Sequence, residues 1–521
     1  GARFFLFGHT TPSVISQGAL SFTLVSGPLD TIHLNISICV LLLGRQHYHA
    51  SSRAHNLSDL QMTNLGNSAA SRDIAYHVHG YTNLRKHEET GPQIITRGSG
   101  IYVYDDNDKP YIEGLAGLWC ASLGFGEERL VEAAAAEMRR LPYYHGFASK
   151  TTNVTIDLAE RLVTMAPVKM SKALFANSGS EATDLAVKLI WYYHNAIGKP
   201  EKKKIISRIK GYHGITVCSA SLTGLPHLHN AFDLPIDRIL HTDCPHHYRF
   251  GKSGESEEDF ATRCAANLEQ MILDEEPETI AAFFAEPVMG AGGVIVPPAT
   301  YYEKVQAVLK KYDILLLADE VICGFGRTGN MWGSQTMDMR PDMITCAKAL
   351  SASYLPISAL MITDAIYQAI ADQSAELGIF GHGGTYAGHP VAAAVAMETL
   401  KIYDERNIVD HVRQMAPKMQ HGLRILTDHP LVGEVRGIGL FAAVELTKIK
   451  ADKTPFDPNS GVTAHLQERA YQNGLIIRAL GDSLALCPPL IIEEKEIEEM
   501  LRIFETSLEE THTWVKENNP A

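Results

Sequence analysis

The sequence predicts an α/β fold built on a mostly parallel sheet with helices on both faces. Helical and apolar segments alternate from about residue 130 to residue 390, which is typical of parallel strands joined by helical crossovers. The apolar segments, such as residues 314–319, show no polar alternation. Continuous apolar runs of this kind indicate strands buried on both faces.

Local patterns predict the individual elements. Residues 101–117 predict a hairpin, because an alternating run is followed by the turn sequence Asp105-Asp106-Asn107-Asp108. A strand is expected at residues 281–285 and another at 314–319. Helices are expected where apolar residues recur at helical spacing, over residues 130–140, 184–194, 302–312, 391–403 and 493–508.

Composition narrows the class of protein. The 521 residues are 45% hydrophobic and 20% charged, so the chain can bury a large core and is long enough for more than one domain. A net charge of −14 argues against a nucleic-acid partner. The eight cysteines form no Cys-x-x-Cys pair, as in proteins of a reducing compartment. The run Lys202-Lys203-Lys204 is interpreted as a solvated face.

An anion site is predicted at the start of one helix. Ser178-Gly179-Ser180 opens a segment that carries Leu185, Leu189 and Tyr193 at helical spacing. The first turn of a helix has backbone N–H groups without intrahelical partners and the positive end of the helix dipole, and a glycine allows close approach. Together these features bind phosphate.

Two further residues complete a set that suits one cofactor. Asp319 ends the apolar run of residues 314–318, and Lys348 closes the apolar run of residues 343–347. In open α/β sheets, ligands bind at the carboxyl ends of the strands. This set meets the needs of pyridoxal phosphate (PLP). The lysine forms an imine with the cofactor aldehyde, and the aspartate keeps the pyridine nitrogen protonated.

The motifs around these residues resemble the class III aminotransferases, a family that includes ω-amino acid:pyruvate and γ-aminobutyrate:pyruvate enzymes. The likeness runs from about residue 101 to about residue 508. The motifs stand in the family order and read Gly114-Leu115-Ala116-Gly117-Leu118-Trp119, Asn177-Ser178-Gly179-Ser180-Glu181-Ala182, Gly211-Tyr212-His213-Gly214, Glu286-Pro287-Val288, Asp319-Glu320-Val321, Ala347-Lys348-Ala349-Leu350 and Thr385-Tyr386-Ala387-Gly388-His389-Pro390.

The resemblance implies the PLP-dependent transferase fold of type I and a division into domains. Residues 131–390 are expected to form the large PLP-binding domain. Residues 62–130 and 391–521 are expected to form the two parts of a smaller α+β domain.

The resemblance also implies cofactor contacts. Tyr212 is expected to stack on one face of the cofactor ring and Val321 to pack against the other. Thr385 matches a threonine that reaches the phosphate from the neighbouring subunit, which implies a homodimer. The full set of expected cofactor residues is Ser178, Gly179, Ser180, Tyr212, His213, Glu286, Asp319, Val321, Lys348 and Thr385, with Lys348 and Asp319 catalytic.

Substrate residues follow from the same resemblance. Arg478 matches a mobile arginine that pairs with an α-carboxylate and swings aside for substrates without one. Trp119 and Phe147 match pocket-lining aromatic residues. Ala148 and Gly384 stand where many relatives have bulky aromatic side chains. The lost volume predicts a roomier pocket that admits long-chain or bulky amines.

Two other motifs are rejected as functional sites. Residues 324–329 match G-x-G-x-x-G, but they do not run directly into a helix as a dinucleotide-binding turn does. They are interpreted as a loop close to the cofactor. His241, Cys244, His246 and His247 lack the spacing of a known zinc module, and no metal is expected.

These inferences predict a PLP-dependent ω-transaminase that moves an amino group from an ω-amino acid or primary amine to pyruvate, in a ping-pong cycle through pyridoxamine phosphate. Its partners would be small amines and keto acids, without nucleic acid or membrane. An amino-acid racemase or aminomutase would also keep Lys348 and Asp319, but would need no external keto acid. An inactive PLP-binding scaffold would not need to keep both residues together with Thr385.

Residues 1–61 differ from the rest of the chain. They contain one acidic residue before Asp59, and their apolar patch at residues 36–43 is too short to span a bilayer. They are read as an organellar transit peptide or as sequence upstream of a start at Met62. We favour the second, because it leaves 460 residues, a usual length for the family, and arginines are few. The expected location is then cytoplasmic, and mitochondrial if residues 1–61 are a transit peptide.

Overall fold

The computed structural model describes residues 66–518. The predicted N-terminal extension, residues 1–61, lies outside the described residues. The chain divides into two compact units, one ending at Gly91 and the other beginning at Pro92. Among the helices between residues 66 and 518, none combines the length and apolar character that a bilayer crossing requires.

The N-terminal unit contains two short helices, α1 (Ala69–Tyr76) and α2 (Leu84–Thr90). Each begins at a polar side chain that accepts a hydrogen bond from a backbone N–H of its first turn. Ser68 Oγ accepts at 3.1 Å in α1, and Asn83 Oδ1 accepts at 3.2 Å in α2. Such caps satisfy N–H groups that have no intrahelical partner.

The strands of the second unit form three sheets. Within the described residues the strands are β1 (Ile95–Ser99), β2 (Tyr102–Asp105), β3 (Pro110–Glu113), β4 (Lys172–Ala176), β5 (Lys204–Arg208), β6 (Ile239–Thr242), β7 (Ile280–Ala285), β8 (Leu315–Asp319), β9 (Met343–Cys346), β10 (Ser358–Ile362), β11 (Val432–Gly437), β12 (Ala442–Leu446), β13 (Leu475–Ile476), β14 (Arg478–Leu480) and β15 (Ser483–Leu486).

The helices of this unit connect the strands and cover the sheets. Between residues 92 and 518 they are α3 (Ala116–Trp119), α4 (Glu128–Arg140), α5 (Asn153–Met165), α6 (Gly179–Ala196), α7 (Val217–Leu222), α8 (His247–Phe250), α9 (Glu257–Asp274), α10 (Tyr301–Lys311), α11 (Gly333–Thr336), α12 (Asp364–Leu377), α13 (Pro390–Glu405), α14 (Ile408–Ile425), α15 (Val462–Gln472) and α16 (Glu494–Asn518).

The largest sheet has seven strands in the order β4-β10-β9-β8-β7-β5-β6. The neighbours from β9 to β6 are parallel, and β10 alone runs antiparallel to its two neighbours. Strands β7, β9 and β10 are buried along their whole length, which explains their continuous apolar sequences. The predicted, mostly parallel sheet is confirmed.

The other two sheets have four strands each, in the orders β1-β2-β3-β13 and β11-β12-β15-β14. The predicted hairpin is confirmed as the antiparallel pair of β2 and β3. Strand β13 pairs in parallel with β3, with Ile476 opposite Glu113. This pairing brings the N- and C-terminal parts together, in support of the proposal that they share the smaller domain.

One surface interpretation is wrong. Lys202, expected on a solvated face, is 1% exposed. Its Nζ donates to the carbonyl oxygens of Tyr312 at 3.1 Å and Asp313 at 2.7 Å, at the end of α10. The carbonyls that end a helix lack intrahelical donors, and a lysine ammonium supplies them. The burial of Lys202 depends on where α10 ends beside it, which a run of three lysines cannot indicate.

Candidate active site

The start of α6 has the features of an anion site. Ser178 Oγ caps the helix and accepts from the backbone N–H of Glu181 at 3.2 Å. The N–H groups of Gly179 and Ser180 fall in the first turn, where no earlier helical carbonyl can accept them. A Cβ on Gly179 would lie 3.1 Å from Val321 Cγ1, so glycine allows these two segments to approach.

The loop that contains Tyr212 is held by a buried carboxylate. Glu286 directly follows β7, and its Oε1 accepts from the N–H of Tyr212 at 2.9 Å. Its Oε2 accepts from the N–H of Gly290 at 2.8 Å. Burial raises the pKa of Glu286 above its ordinary value. Both oxygens of Glu286 therefore fix the position of backbone around the site.

Asp319 is the last residue of β8 and is 4% exposed. Its Oδ2 lies 2.8 Å from His213 Nδ1, and its Oδ1 accepts from the N–H of Val321 at 3.1 Å. With a proton on Nδ1, His213 donates to this carboxylate. The other ring nitrogen of His213, Nε2, is buried without a hydrogen-bond partner among residues 66–518.

Lys348 follows β9 and opens a short 3-10 turn, Lys348–Ser351, in the left-handed backbone region with φ 50°. Part of Lys348 is accessible because it lines a cavity inside the protein. Burial lowers the pKa of Lys348, although Cys120, Asp319 and Glu286 act in the opposite direction. A lysine with a lowered pKa is more readily available as a neutral amine.

These segments enclose one cavity at the carboxyl ends of the parallel strands, where ligands bind in such sheets. Eight of the ten predicted cofactor residues line it, namely Gly179, Ser180, Tyr212, His213, Glu286, Asp319, Val321 and Lys348. Gly214 and Ile322 line it as well. Gly214 is the last residue of the motif Gly211-Tyr212-His213-Gly214, and Ile322 directly follows the motif Asp319-Glu320-Val321, which is the signal that the sequence offers for them.

The other two predicted cofactor residues, Ser178 and Thr385, lie outside this cavity. Ser178 caps α6 and does not line the cavity, and Thr385 lies on an exposed loop. The carbonyl oxygen of Thr385 accepts from Tyr143 Oη at 2.9 Å. In the single chain, Thr385 is therefore part of a different surface from Lys348.

That surface carries two predicted pocket residues. Phe147 and Gly384 line a second cavity of about 630 Å³, which shares no lining residue with the first. A Cβ on Gly383 would lie 2.0 Å from the Phe147 ring, so the ring rests directly on this glycine. Ala148 is exposed on the same loop, with φ 52°. The single chain thus separates these residues from Lys348.

Trp119 and Arg478 lie in neighbouring segments. Trp119 is 3% exposed and meets Phe441 edge-on, with ring centroids 5.4 Å apart. It belongs to an apolar cluster that includes Ile322, which lines the first cavity. Arg478 begins β14 opposite Ala485, another member of that cluster. Trp119 therefore belongs to a cluster that borders the Lys348 cavity, and Arg478 lies on a strand paired with a member of that cluster.

Two rejected motifs have structural contacts. Residues 324–329 form turns after β8, as predicted, and Gly326 has φ 101°. Arg327 within this loop is buried and donates to the carbonyl oxygens of Leu440 and Pro488. His246 lies 2.8 Å from Glu434 Oε2, in a network that also contains Arg436.

The cavity fits PLP on three observations. The first turn of α6 offers N–H groups at one end, and glycines at 179 and 214 leave space there, since a Cβ on Gly214 would lie 2.5 Å from Ser180 Oγ. A buried carboxylate, Asp319, lies at the strand ends. Lys348, the lysine of this cavity, supplies the amine. A large, mostly parallel sheet with this site defines a PLP-dependent transferase of fold type I.

The chain belongs to the class III aminotransferases. The profile of that family, described as aminotransferase class-III, matches residues 84–508. Enzymes of this family depend on PLP, so PLP is the cofactor and the chain is an aminotransferase of the ω-transaminase type. Its substrates are small amines and keto acids.

Similar proteins agree with this assignment. The chain is 52% identical over 430 residues to γ-aminobutyrate transaminase 1, mitochondrial, of Solanum lycopersicum, covering 82% of this chain and 84% of that protein. It is 53% identical over 427 residues to γ-aminobutyrate transaminase 1, mitochondrial, of Oryza sativa subsp. japonica, covering 82% and 83%.

A solved structure shows the same fold. The ω-transaminase of Pseudomonas jessenii in complex with PMP is 56% identical, with a TM-score of 0.85, and the match covers 86% of this chain and 99% of that one.

Proposed function

We propose that this aminotransferase moves an amino group from an ω-amino acid or a primary amine to pyruvate, in a ping-pong cycle in which both substrates use one site. The proposal rests above all on the cavity that holds Lys348 and Asp319 together. In the first half reaction the donor loses its amino group and leaves as an aldehyde or ketone. In the second, pyruvate gains that group and leaves as alanine.

The similar proteins support both substrates. The similar proteins of Solanum lycopersicum and Oryza sativa are γ-aminobutyrate transaminases, and γ-aminobutyrate is an ω-amino acid. Another solved structure, a transaminase with L-alanine, is 59% identical, with a TM-score of 0.80, and the match covers 81% of this chain and all of that one. Alanine is the product that pyruvate gives when it accepts an amino group.

We assign the following roles to the cavity residues. Gly179 and Ser180 hold the cofactor phosphate through N–H groups of α6. Tyr212 and Val321 would lie against the two faces of the cofactor ring, and Glu286 keeps the Tyr212 loop in place. Asp319, held by His213, would pair with the pyridine nitrogen. Ser178 supports this end indirectly, because it caps the helix.

Bound PLP supplies an electron sink next to the reacting carbon of the substrate. Lys348 has two tasks. Its Nζ would hold the cofactor before the substrate arrives, and as a free amine it would take a proton from the substrate carbon and return it. The lowered pKa of Lys348 favours the neutral amine that the second task needs.

An engineered relative supports the substrate pocket. A variant ω-transaminase, engineered for the synthesis of enantiopure bulky amines, carries substitutions at a tryptophan, a phenylalanine and an arginine. The phenylalanine lies 28 residues after the tryptophan, and the arginine lies 331 residues after the phenylalanine. Trp119, Phe147 and Arg478 have these same separations. That structure is 55% identical, with a TM-score of 0.85, covering 86% of this chain. We therefore place the three residues, with Ala148, around the substrate.

A homodimer would reconcile this pocket with the single chain. Phe147 and Thr385 lie away from Lys348 within one subunit, on or beside an open cavity of about 630 Å³. A second copy that covers this surface would bring Thr385 to the phosphate of the neighbouring site and Phe147 to its substrate.

The central experiment is a donor screen with pyruvate as acceptor, in which alanine formation is measured. Amines with an ω-amino group should give alanine, and Lys348→Ala should abolish it while PLP still binds non-covalently. Asp319→Asn should lower the activity by about 10-fold to 150-fold, since a hydrogen bond to a charged group is worth about 1.5–3 kcal/mol. A racemase or aminomutase would instead convert its substrate without any keto acid, and an inactive scaffold would give no product.

The control for Asp319→Asn is the same substitution at a carboxylate outside the cavity. Asp342 precedes β9, and its Oδ2 accepts from the N–H of Leu316 at 2.9 Å, at the opposite end of β8 from Asp319. Asp342→Asn keeps an oxygen that can accept from the Leu316 N–H, so it should leave turnover nearly unchanged. Equal kinetic effects of the two substitutions would contradict the role of Asp319.

We further propose the organellar location over the cytoplasmic one, since several similar proteins are named as mitochondrial or chloroplastic. A fluorescent fusion of the full chain should then enter an organelle, and a version that starts at Met62 should not. Cytoplasmic fluorescence from both would favour the other location.

A further inference from the structure

Three histidines surround one carboxylate in the N-terminal unit. Asp73 lies on α1, His77 ends that helix, His79 follows it, and His87 lies on α2. The Oδ2 of Asp73 is 2.8 Å from His79 Nε2 and 3.0 Å from His87 Nε2. Its Oδ1 is 3.0 Å from His77 Nδ1. Four side chains from two helices and their link therefore converge on one point.

The donor atoms have the spacing of a metal site. One ligand atom each from Asp73, His79 and His87 lies within 4.8 Å of the other two. Tetrahedral Zn²⁺ binds nitrogen and oxygen ligands at about 2.0–2.1 Å, which places the ligand atoms roughly 3.4 Å apart. The observed separations of 2.8 and 3.0 Å need to widen by only about half an ångström.

The chemical nature of the donors selects the cation. Imidazole nitrogens suit Zn²⁺, Cu²⁺ and Ni²⁺, whereas Mg²⁺ and Ca²⁺ prefer oxygen ligands alone. The His87 side chain is 10% exposed and that of His79 29%, so the donors are ordered by packing yet can be reached from solvent. His77 contacts the other carboxylate oxygen, Oδ1, and lies outside this group of three donors, so water would complete the coordination.

A second observation concerns α1 and α2, the helices that the structure describes in this unit. Neither α1 nor α2 has a buried residue, so apolar burial contributes little to holding the two helices together. Small units without a hydrophobic core commonly depend on a metal or a disulfide. Ligands from both helices would supply such a connection, because binding free energy becomes folding free energy.

We propose that Asp73, His79 and His87, with water as the fourth ligand, bind a divalent transition-metal cation of the Zn²⁺ class that fastens α1 to α2. The hydrogen bonds from the three imidazoles to Asp73 keep the ligands in place while the cation is absent. The cation is structural in this proposal, and the amino transfer does not pass through it.

The test is a comparison of Zn²⁺ and Co²⁺ binding to the PLP-loaded enzyme and two double variants. H79Q/H87Q removes two imidazoles from the proposed site. H429Q/H512Q removes two from the group of His429, Glu509 and His512, which has similar donor spacing elsewhere in the chain. After chelation and dialysis, each protein is titrated with Zn²⁺ by calorimetry and with Co²⁺ by visible absorption.

The wild type and H429Q/H512Q should each bind one equivalent of Zn²⁺ per chain at the proposed site. H79Q/H87Q should lack this equivalent or bind it at least ~10-fold more weakly. Co²⁺ should give the intense visible bands of a tetrahedral site in the first two only. Equal stoichiometry and affinity in the wild type and H79Q/H87Q would overturn the proposal. So would a loss in H429Q/H512Q alone, which would assign the cation to the other group.

Hydrogen exchange of residues 69–90 distinguishes lost ligands from lost folding. In chelator, this segment should exchange at the same rate in the wild type and H79Q/H87Q. Added Zn²⁺ should slow exchange at least ~10-fold in the wild type alone. An unchanged rate in the wild type with Zn²⁺ would mean that no cation connects the helices, and that the imidazoles serve only as hydrogen-bond donors.

Discussion

The Nδ1 of His213 lies 2.8 Å from the Oδ2 of Asp319, although the two residues are 106 positions apart in the chain. Both are buried, at 3% and 4% exposed. The contact fixes the carboxylate at the end of β8 and the loop after β5 relative to each other. It makes His213 a positioning residue for the group that we assign to the pyridine nitrogen.

His213→Leu should weaken the site because it removes this donor. Loss of a hydrogen bond to a buried charge costs about 1.5–3 kcal/mol, or roughly 10-fold to 150-fold. The loss should be seen in kcat and in the dissociation constant of PLP, measured by cofactor absorbance. His213→Asn can keep a donor near the position of Nδ1 and should recover most of it. A Leu variant with normal kcat and PLP affinity would remove His213 from the site.

The lowered pKa of Lys348 predicts how stability depends on pH in the cofactor-free protein. An unfolded lysine has a pKa of 10.5, and burial lowers the value in the folded chain. Between these two values the unfolded chain binds a proton that the folded chain does not, so the free energy of unfolding rises with pH. Below this window both states are protonated, and the folded protein carries the full cost of a buried charge.

Lys348→Met should therefore be more stable than the wild type near neutral pH when both lack PLP. The difference in the free energy of unfolding should shrink as pH rises through the window and should vanish near 10.5. Denaturant titrations at a series of pH values measure it. A difference that stays constant or grows with pH would show that the amine is not desolvated.

Thr385 tests the dimer by complementation. A subunit with Lys348→Ala lacks the amine but offers an intact Thr385, and a subunit with Thr385→Ala does the reverse. If Thr385 acts across the interface, a mixed dimer has one complete site and one site that lacks both groups. Mixing the two inactive or impaired variants under exchange conditions should then restore activity. Activity that stays at the average of the two parents would place Thr385 in its own subunit's site.

Arg478→Ala should affect the two half reactions unequally. Pyruvate has a carboxylate that can form a bidentate ion pair with a guanidinium, and a simple amine such as phenylethylamine has none. The KM for pyruvate should rise strongly, while the half reaction of the amine changes much less, as single-turnover absorbance of the cofactor can show.

Arg436 serves as the comparison for this prediction. Its guanidinium contacts Glu434, Glu445, the carbonyl oxygen of Gly293 and Ser483 Oγ, and its side chain is 8% exposed. Its donors are used within the protein, so Arg436→Ala should lower the melting temperature rather than select against pyruvate. Equal damage by Arg478→Ala to both half reactions would mean that Arg478 is structural as well.

Some predicted helix boundaries differ from the observed ones, because a helix can extend beyond the residues that show the apolar periodicity. The last helix continues ten residues beyond the predicted end, to Asn518. Helix α6 already begins at Gly179, where Ser178 caps it, and the predicted phosphate turn is the first turn of the helix itself. The lysine run was misjudged because the partners of Lys202 are the carbonyls of Tyr312 and Asp313, more than one hundred residues away.

The sequence by itself determined the class of fold and the chemistry of the site. Continuous apolar runs specify buried parallel strands, and a cap followed by glycine predicts a helix start that can bind phosphate. A carboxylate and a lysine at the ends of such runs lie near this helix, since strand ends meet at one edge of a sheet. These signals are local, and the sequence carries them without reference to distant partners.

Only the tertiary structure decided the remaining relationships, because each joins segments that are distant in sequence. The His213–Asp319 contact, the support of Tyr212 by Glu286, and the separation of Thr385 from Lys348 depend on how loops approach across the sheet. The same holds for His87 on α2, which lies 14 positions from Asp73 on α1, whereas His77 and His79 lie only four and six positions from it.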